Sequence, residues 1–300
     1  MIVPHEHFAL SSERVAQMER AFALRLEHHG RELVLDRPGS TLALSTTGTD
    51  CGLDCAHCGG HYLEGMTPLS GAEKKLASGQ YTSCLFSGGC TPAGKVEVAK
   101  QAELIRQYKE RGLRINMHAG LVSDEEIEVI APLADKISFD LVLDDQTIRD
   151  VFGLSRRGED YVKVYRKLRQ VGAPVVPHLL IGLWGGQVRG EYAVIEALKE
   201  LGADGLVFIV LIPTPGTRFA DRLPPALDDV AKVMCTARET FPHLPLNLGC
   251  MRPSGKYRYE VDKVAVRSGL NRIVNPTPGC IKLAQEMGLT LAERKECCVL

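Results

Sequence analysis

Eight short apolar runs recur along this chain, at 42–46, 83–87, 113–118, 136–142, 174–181, 205–212, 244–249 and 271–275. Stretches of helical periodicity lie between and after them, near 70–78, 96–111, 124–134, 159–171, 189–201, 226–240, 258–268 and 280–288. Runs such as Pro174–Ile181 and Leu206–Ile212 are apolar almost throughout, as parallel strands covered on both faces require. Strand–helix alternation with right-handed crossovers predicts an α/β chain, a (βα)8 TIM-type barrel or an open barrel of similar order. In such barrels the chemistry sits at the C-terminal ends of the strands.

A lead-in precedes the barrel. Ser11 or Ser12 can cap a helix over 11–28, with Glu13 in the first turn and Gly30 as its stop. Val15, Met18, Phe22, Leu24 and Leu26 recur at about helical period, and Glu32 to Arg37 reads as a short β-like piece. The expected organisation is a lead-in over 1–40, a barrel domain over 41–290 and a cysteine-containing tail over 291–300. A net charge of −1 without a basic, aromatic-studded stripe argues against nucleic acid. The longest apolar run falls far short of the roughly 20 residues of a membrane span. Ten cysteines with no secretion signal point to a reducing, cytoplasmic setting where thiols bind metals or stay free.

The first strand opens into Cys51-Gly-Leu-Asp-Cys55-Ala-His-Cys58. Three thiolates at this spacing cannot close a tetrahedral zinc site alone, whereas an iron–sulfur cube can take three and leave one iron open. The second strand ends in Ser87-Gly88-Gly89-Cys90, where a glycine pair allows close backbone approach and unusual φ. Other strand ends carry His118, Ser138, Asp140, His178, Gly182 and Thr214, so residues from several strands meet at one mouth. Cys84 and Cys235 read as core residues. Cys250 and Cys280 follow neighbouring strands, and Cys297 with Cys298 lies on a tail expected to fold over the mouth, with Cys90 in reserve. The ending Cys297-Cys-Val-Leu300 also fits a prenylation box, but no polybasic stretch supports it.

The Cys51/Cys55/Cys58 triad resembles the signature of the radical S-adenosylmethionine (radical SAM) superfamily, with His57 where an aromatic residue is usual. Ser87-Gly88-Gly89 resembles its motif for the methionine amino group, with Cys90 replacing glutamate. Ile181-Gly182-Leu183 resembles the fifth-strand element that packs on adenine. Pro213 to Thr217 resembles a sixth-strand motif of the biotin-synthase-like branch. Together with Gly249-Cys-Met-Arg-Pro253 and the Cys-Cys tail, these features look most like the two-component lipoyl synthases.

The resemblance implies a radical SAM barrel with a SAM-binding 4Fe-4S cluster on Cys51, Cys55 and Cys58. It also implies an auxiliary 4Fe-4S cluster, the sulfur donor, drawing on Cys250, Cys280 and Cys297 or Cys298. The implied reaction removes hydrogen from an octanoyl chain on a lipoyl-carrier protein or peptide and inserts sulfur. A ferredoxin or flavodoxin would supply electrons, beside a paralogous radical SAM partner protein. Two other readings stay open: a single-cluster enzyme of the same branch doing methylation or ring assembly, and a zinc-binding structural module.

Overall fold

The computed structural model describes residues 3–300. Among them, eleven strands form one parallel, curled sheet. The strands are β1 (Glu32–Asp36), β2 (Thr41–Ser45), β3 (Thr67–Pro68), β4 (Ser83–Ser87), β5 (Arg114–His118) and β6 (Lys136–Asp140). They continue with β7 (Val175–Ile181), β8 (Leu206–Val210), β9 (Leu246–Leu248), β10 (Arg272–Val274) and β11 (Thr290–Arg294). All eight expected strands are present and run side by side from β2 through β4 to β10.

Of the two expected forms, a closed eightfold ring and an open barrel, it is the open one that forms. The order is β11-β1-β10-β9-β8-β7-β6-β5-β4-β2-β3, and among the described residues no backbone pairing joins its two ends. The reason is the lead-in. Glu32 to Asp36 pairs with both β10 and β11, taking the edge of β10 that closure would need. The lead-in is therefore part of the sheet.

The helices are α1 (Ser12–His29), α2 (Leu69–Leu76), α3 (Ala102–Glu110), α4 (Asp124–Ile130), α5 (Asp145–Phe152), α6 (Gly158–Gln170), α7 (Glu191–Leu201), α8 (Leu227–Thr240), α9 (Gly255–Arg267) and α10 (Pro278–Glu286). Helix α1 starts where Ser11 Oγ accepts from Arg14 N, but its buried face is Arg14, Gln17, Met18, Ala21 and Arg25, while Val15 is exposed. The long stems of the two arginines pack while their heads find acceptors. The carboxylate of Asp228 takes Arg14, and the carbonyls of Gly30 and Glu32 take Arg25.

Strand side chains alternate between two faces. On the helix side, Leu42, Phe86, Ile115, Ile137, Leu179, Phe208 and Ile273 join one large core, which also holds Cys84 and Cys235. On the concave side, Val176, Val207, Val274 and Ile209 form a second, smaller cluster whose other members are Cys297, Cys298, Val299 and Leu300. The tail thus lies inside the curl of the sheet. It is anchored at the strands' N-terminal ends: Cys297 N donates to Thr41 Oγ1 at 2.8 Å, Thr82 Oγ1 to Glu296 at 2.8 Å, and Arg114 to Glu296 and to the Leu300 carbonyl. The expected tail over the mouth is instead a plug at the opposite end. The aliphatic Val176–Val207–Val274 surface has no other described apolar cover, and burying it draws the tail inward.

Candidate active site

The loop after β2 carries the triad, and backbone bonds from other elements fix it. Gly52 N donates to Cys90 O at 2.7 Å, Ala56 N to Val151 O at 2.7 Å, and Phe219 N to Ala56 O at 2.9 Å. Arg218 adds donations to the carbonyls of Asp54, Asp150 and Val151. Tyr62, on the 3-10 turn His61–Gly65, shares a 2.7 Å hydrogen bond with Thr214 Oγ1, tying the triad loop to the β8 exit. None of Tyr62, Arg218 and Phe219 stands out in the sequence. Helix α5, which supplies Val151, was also missed, although Asp144 at its N-cap and Gly153 after its last turn are the signals that mark it.

Cys51, Cys55, Cys58 and Cys90 lie within one another's electrostatic reach. The hydrogen bond between Cys55 and Cys58 draws the Cys58 thiol down to about 7 and pushes Cys55 up. Burial pushes Cys90 up to about 12. His57 meets the Phe152 ring edge-on, and burial lowers it to about 4. Its Nδ1 and the Thr46 Oγ1 are buried without partners, atoms that a bound group can meet. Three thiols on one loop, with orphaned polar atoms of His57 and Thr46 nearby, are a donor set of the kind an iron–sulfur cluster takes. Among the described residues no three His, Cys, Asp or Glu side chains stand close enough to share a single ion.

Ser87, Gly88 and Gly89 lie against the triad loop. Thr46 N donates to Ser87 O, and Gly89 N to Thr47 Oγ1 at 2.8 Å. A Cβ on Gly89 would sit 2.0 Å from the Asp50 carbonyl oxygen, and one on Gly88 2.5 Å from Thr46 Oγ1. Neither glycine has a positive φ, so the pair is there for closeness and not for unusual backbone angles. Gly182 does need its freedom: φ is +77°, its N–H donates to the buried Glu191 carboxylate at 2.7 Å, and Pro225 packs where a Cβ would go. Ile181 points to the helix-side core and Leu183 is buried beyond the turn.

His118, Asp140 and His178 come together on the concave face. His118 Nε2 is 3.2 Å from Asp140 Oδ2, and the two imidazoles stack at 6.2 Å. Side-chain exposures of 34% for His118 and 44% for Asp140, with protein all round, mean that both face an interior space open to water. Burial would lower His118, but the Asp140 charge and hydrogen bond outweigh it and raise His118. Burial would raise Asp140, yet the histidines hold it at about 2. Burial lowers His178 to about 4. His118 and Asp140 each favour the other's charged form, while burial keeps His178 on the neutral side. Ser138 lies one pleat lower, where its hydroxyl donates to Asn116 Oδ1 at 3.1 Å.

The remaining thiols separate. Cys250, Cys297 and Cys298 lie within electrostatic reach of one another. Cys250 keeps an accessible surface although protein surrounds it, as a residue lining the lumen does. Cys280 is not brought to them. It is wholly buried in the first turn of α10, within the helix-side core, and its charged neighbours are Asp262 and Arg252.

Solved structures with this architecture cover nearly the whole chain. The crystal structure of methylornithine synthase (PylB) aligns over 96% of this chain and 91% of that one, with a TM-score of 0.67 and 15% identity. The FeFe-hydrogenase maturase HydG from Carboxydothermus hydrogenoformans aligns over 95% and 74%, with a TM-score of 0.69 and 15% identity. Streptococcus suis SuiB bound to S-adenosylmethionine aligns over 85% and 61%, with a TM-score of 0.53 and 15% identity. The chain shares the fold of these structures. At such identities the likeness is one of fold alone. No family model matches the chain, and no curated protein matches it in sequence. Among the described residues no helix is long and apolar enough to cross a membrane.

Proposed function

We propose that the chain is a radical SAM enzyme in which Cys51, Cys55 and Cys58 hold a 4Fe-4S cluster, and Ser87, Gly88, Gly89, Gly182, Leu183 and Thr214 frame the SAM beside it. When bound, that pair supplies homolytic removal of hydrogen from an unactivated carbon. The chain's own residues orient and enclose. The Gly88–Gly89 backbone lies close enough to the triad loop to present its carbonyls to an ammonium group. His118 and Asp140 stand 3.2 Å apart, each favouring the other's charged form. The tail packs over Val176 and Val207 and closes the base against water.

The finer reading is sulfur insertion into an octanoyl group, with Cys250, Cys297 and Cys298 holding an auxiliary cluster as donor. One observation supports it: apart from the triad, Cys250, Cys297 and Cys298 form a second group of thiols within electrostatic reach of one another. A carrier lysine would enter through the mouth, since the tail fills the base. A ferredoxin or flavodoxin as electron source and a paralogous partner belong to the same reading.

The test is iron and acid-labile sulfide per chain after anaerobic reconstitution, with the mass of an octanoylated carrier peptide after turnover. Iron for two clusters, lost in part in Cys250→Ala and Cys297→Ala, together with added sulfur on the peptide, is the expected result. A second reading has one cluster and a structural tail. It is favoured by the packing of Cys298, Val299 and Leu300, each under a tenth exposed, as ordinary core residues. Unchanged iron in both variants would decide for it.

A further inference from the structure

We propose that Asp140, His178 and His118 form a binding site, in the lumen above the tail, for the ammonium head of an amine substrate. This deepens the single-cluster reading and rests on the lumen being the chamber in which the triad's cluster and SAM act. Asp140 ends β6 and stands in register with His178 on β7, so the two side chains are neighbours on the concave face. His118 Nε2 meets Asp140 Oδ2 at 3.2 Å, and Oδ1 has no hydrogen-bond partner among the described residues. His178 Nδ1 lies 3.2 Å from the Val176 carbonyl. A carbonyl only accepts, so Nδ1 carries the ring proton and Nε2 is left as a bare lone pair on a half-buried ring.

Asp140 differs from the other carboxylates that protein encloses. Asp36 is paired with Arg272 through two hydrogen bonds, Asp262 with Arg252, and Glu191 takes the backbone N–H groups of Gly182 and Arg189. Asp140 has imidazoles alone, while the inward-facing arginines of the sheet, Arg114 and Arg272, are engaged with Glu296 and Asp36. An enclosed carboxylate is costly unless a cation or several donors meet it. Among the described residues the three side chains do not stand close enough together to share a metal ion, which leaves a molecular cation held by hydrogen bonds. An ammonium group has only donors, and Asp140 Oδ1 with His178 Nε2 offers it neighbouring acceptors, one of them charged. An octanoyl amide carries no such head, so the site points away from an acyl substrate.

The experiment is anaerobic calorimetry on the full chain after iron–sulfur reconstitution, in the presence of SAM. It titrates n-pentylamine, pentan-1-ol and pentanoate at neutral pH, with SAM affinity and 5′-deoxyadenosine formation measured alongside. The amine should bind roughly tenfold more tightly than the alcohol, the difference that a hydrogen bond to a charged group makes, and pentanoate should not bind. Asp140→Asn and His178→Phe should each weaken amine binding by about tenfold and leave SAM affinity as in wild type. Equal affinities for amine and alcohol in wild type overturn the proposal, and that arm needs no variant to fold. Unchanged amine affinity in both folded variants overturns it as well. So does SAM affinity that falls in step with amine affinity, since the slot then serves the cation of SAM. Amine selectivity without 5′-deoxyadenosine under dithionite overturns the radical SAM reading and still supports the amine site.

Discussion

The two thiol groups are built by different means. The upper one occupies a single loop, held by backbone bonds to other elements and by the side chains of Tyr62 and Arg218. The lower one is assembled from the segment after β9 and from the tail, and side chains hold it: Asn116, Thr41, Arg114 and, behind Cys250, the ion pair of Arg252 with Asp262. The upper loop keeps most of its backbone bonds under side-chain changes, whereas the lower group loses support with each side chain removed.

The largest expected contrast is chemical. Cys55→Ala should abolish dithionite-driven SAM cleavage, followed as 5′-deoxyadenosine by chromatography, while Cys297→Ala retains it. Loss in both would erase the distinction between the groups.

In stability, Arg252→Met should have the largest effect. Its guanidinium donates to Asp262, to Gly249 O at 2.7 Å and to Val274 O at 2.7 Å, with neither partner exposed. Stranding the buried Asp262 carboxylate costs about 3–5 kcal/mol, measurable by urea unfolding. Gly89→Ala drives a methyl into the Asp50 carbonyl and should lose about 3 kcal/mol, with weaker SAM binding by calorimetry. Leu300→Ala, trimming the plug, should lose about 2 kcal/mol in the same unfolding assay and leave SAM cleavage in place.

The smallest effect is on pH dependence. His118 is raised from its ordinary 6.5, so its contribution is complete below that value and is lost as pH rises through the elevated one. Asp140, lowered to about 2 from 3.8, contributes above 3.8 and loses it as pH falls toward 2. The pair thus stabilises between these limits. Thermal melts of wild type and Asp140→Asn should differ most near pH 5 and converge in alkali, by under about 1 kcal/mol because both side chains meet water.

How far each region was legible follows from the same contrast. Strand runs and the triad are local patterns, and each lies within a few residues of its expected place. Of the two reasons expected for the glycine pair, close approach to the Thr46–Cys51 loop holds and unusual φ does not. On α1 the expected Met18, Phe22 and Leu26 reach the core, but Val15 does not, and the stems of Arg14 and Arg25 bury in its stead. The tail was misplaced because nothing within 291–300 says which end of the barrel needs an apolar cover. Cys250 and Cys280 follow adjacent strands, yet one faces the lumen and the other the helix layer. That is a matter of orientation, which spacing does not carry.

The pairing of β1 has a consequence for how the chain is made. Its described partners are β10 and β11, so Leu33, Val34 and Leu35 have no strand to pair with until residues 272–294 have been synthesised. An apolar strand waits through most of translation with its edges free, and such contacts of long sequence separation form slowly. A chain interrupted before β10 leaves that strand as a template for another molecule's sheet. Soluble yield should therefore fall off steeply for fragments ending just short of residue 272, and recover little until the last strand is included.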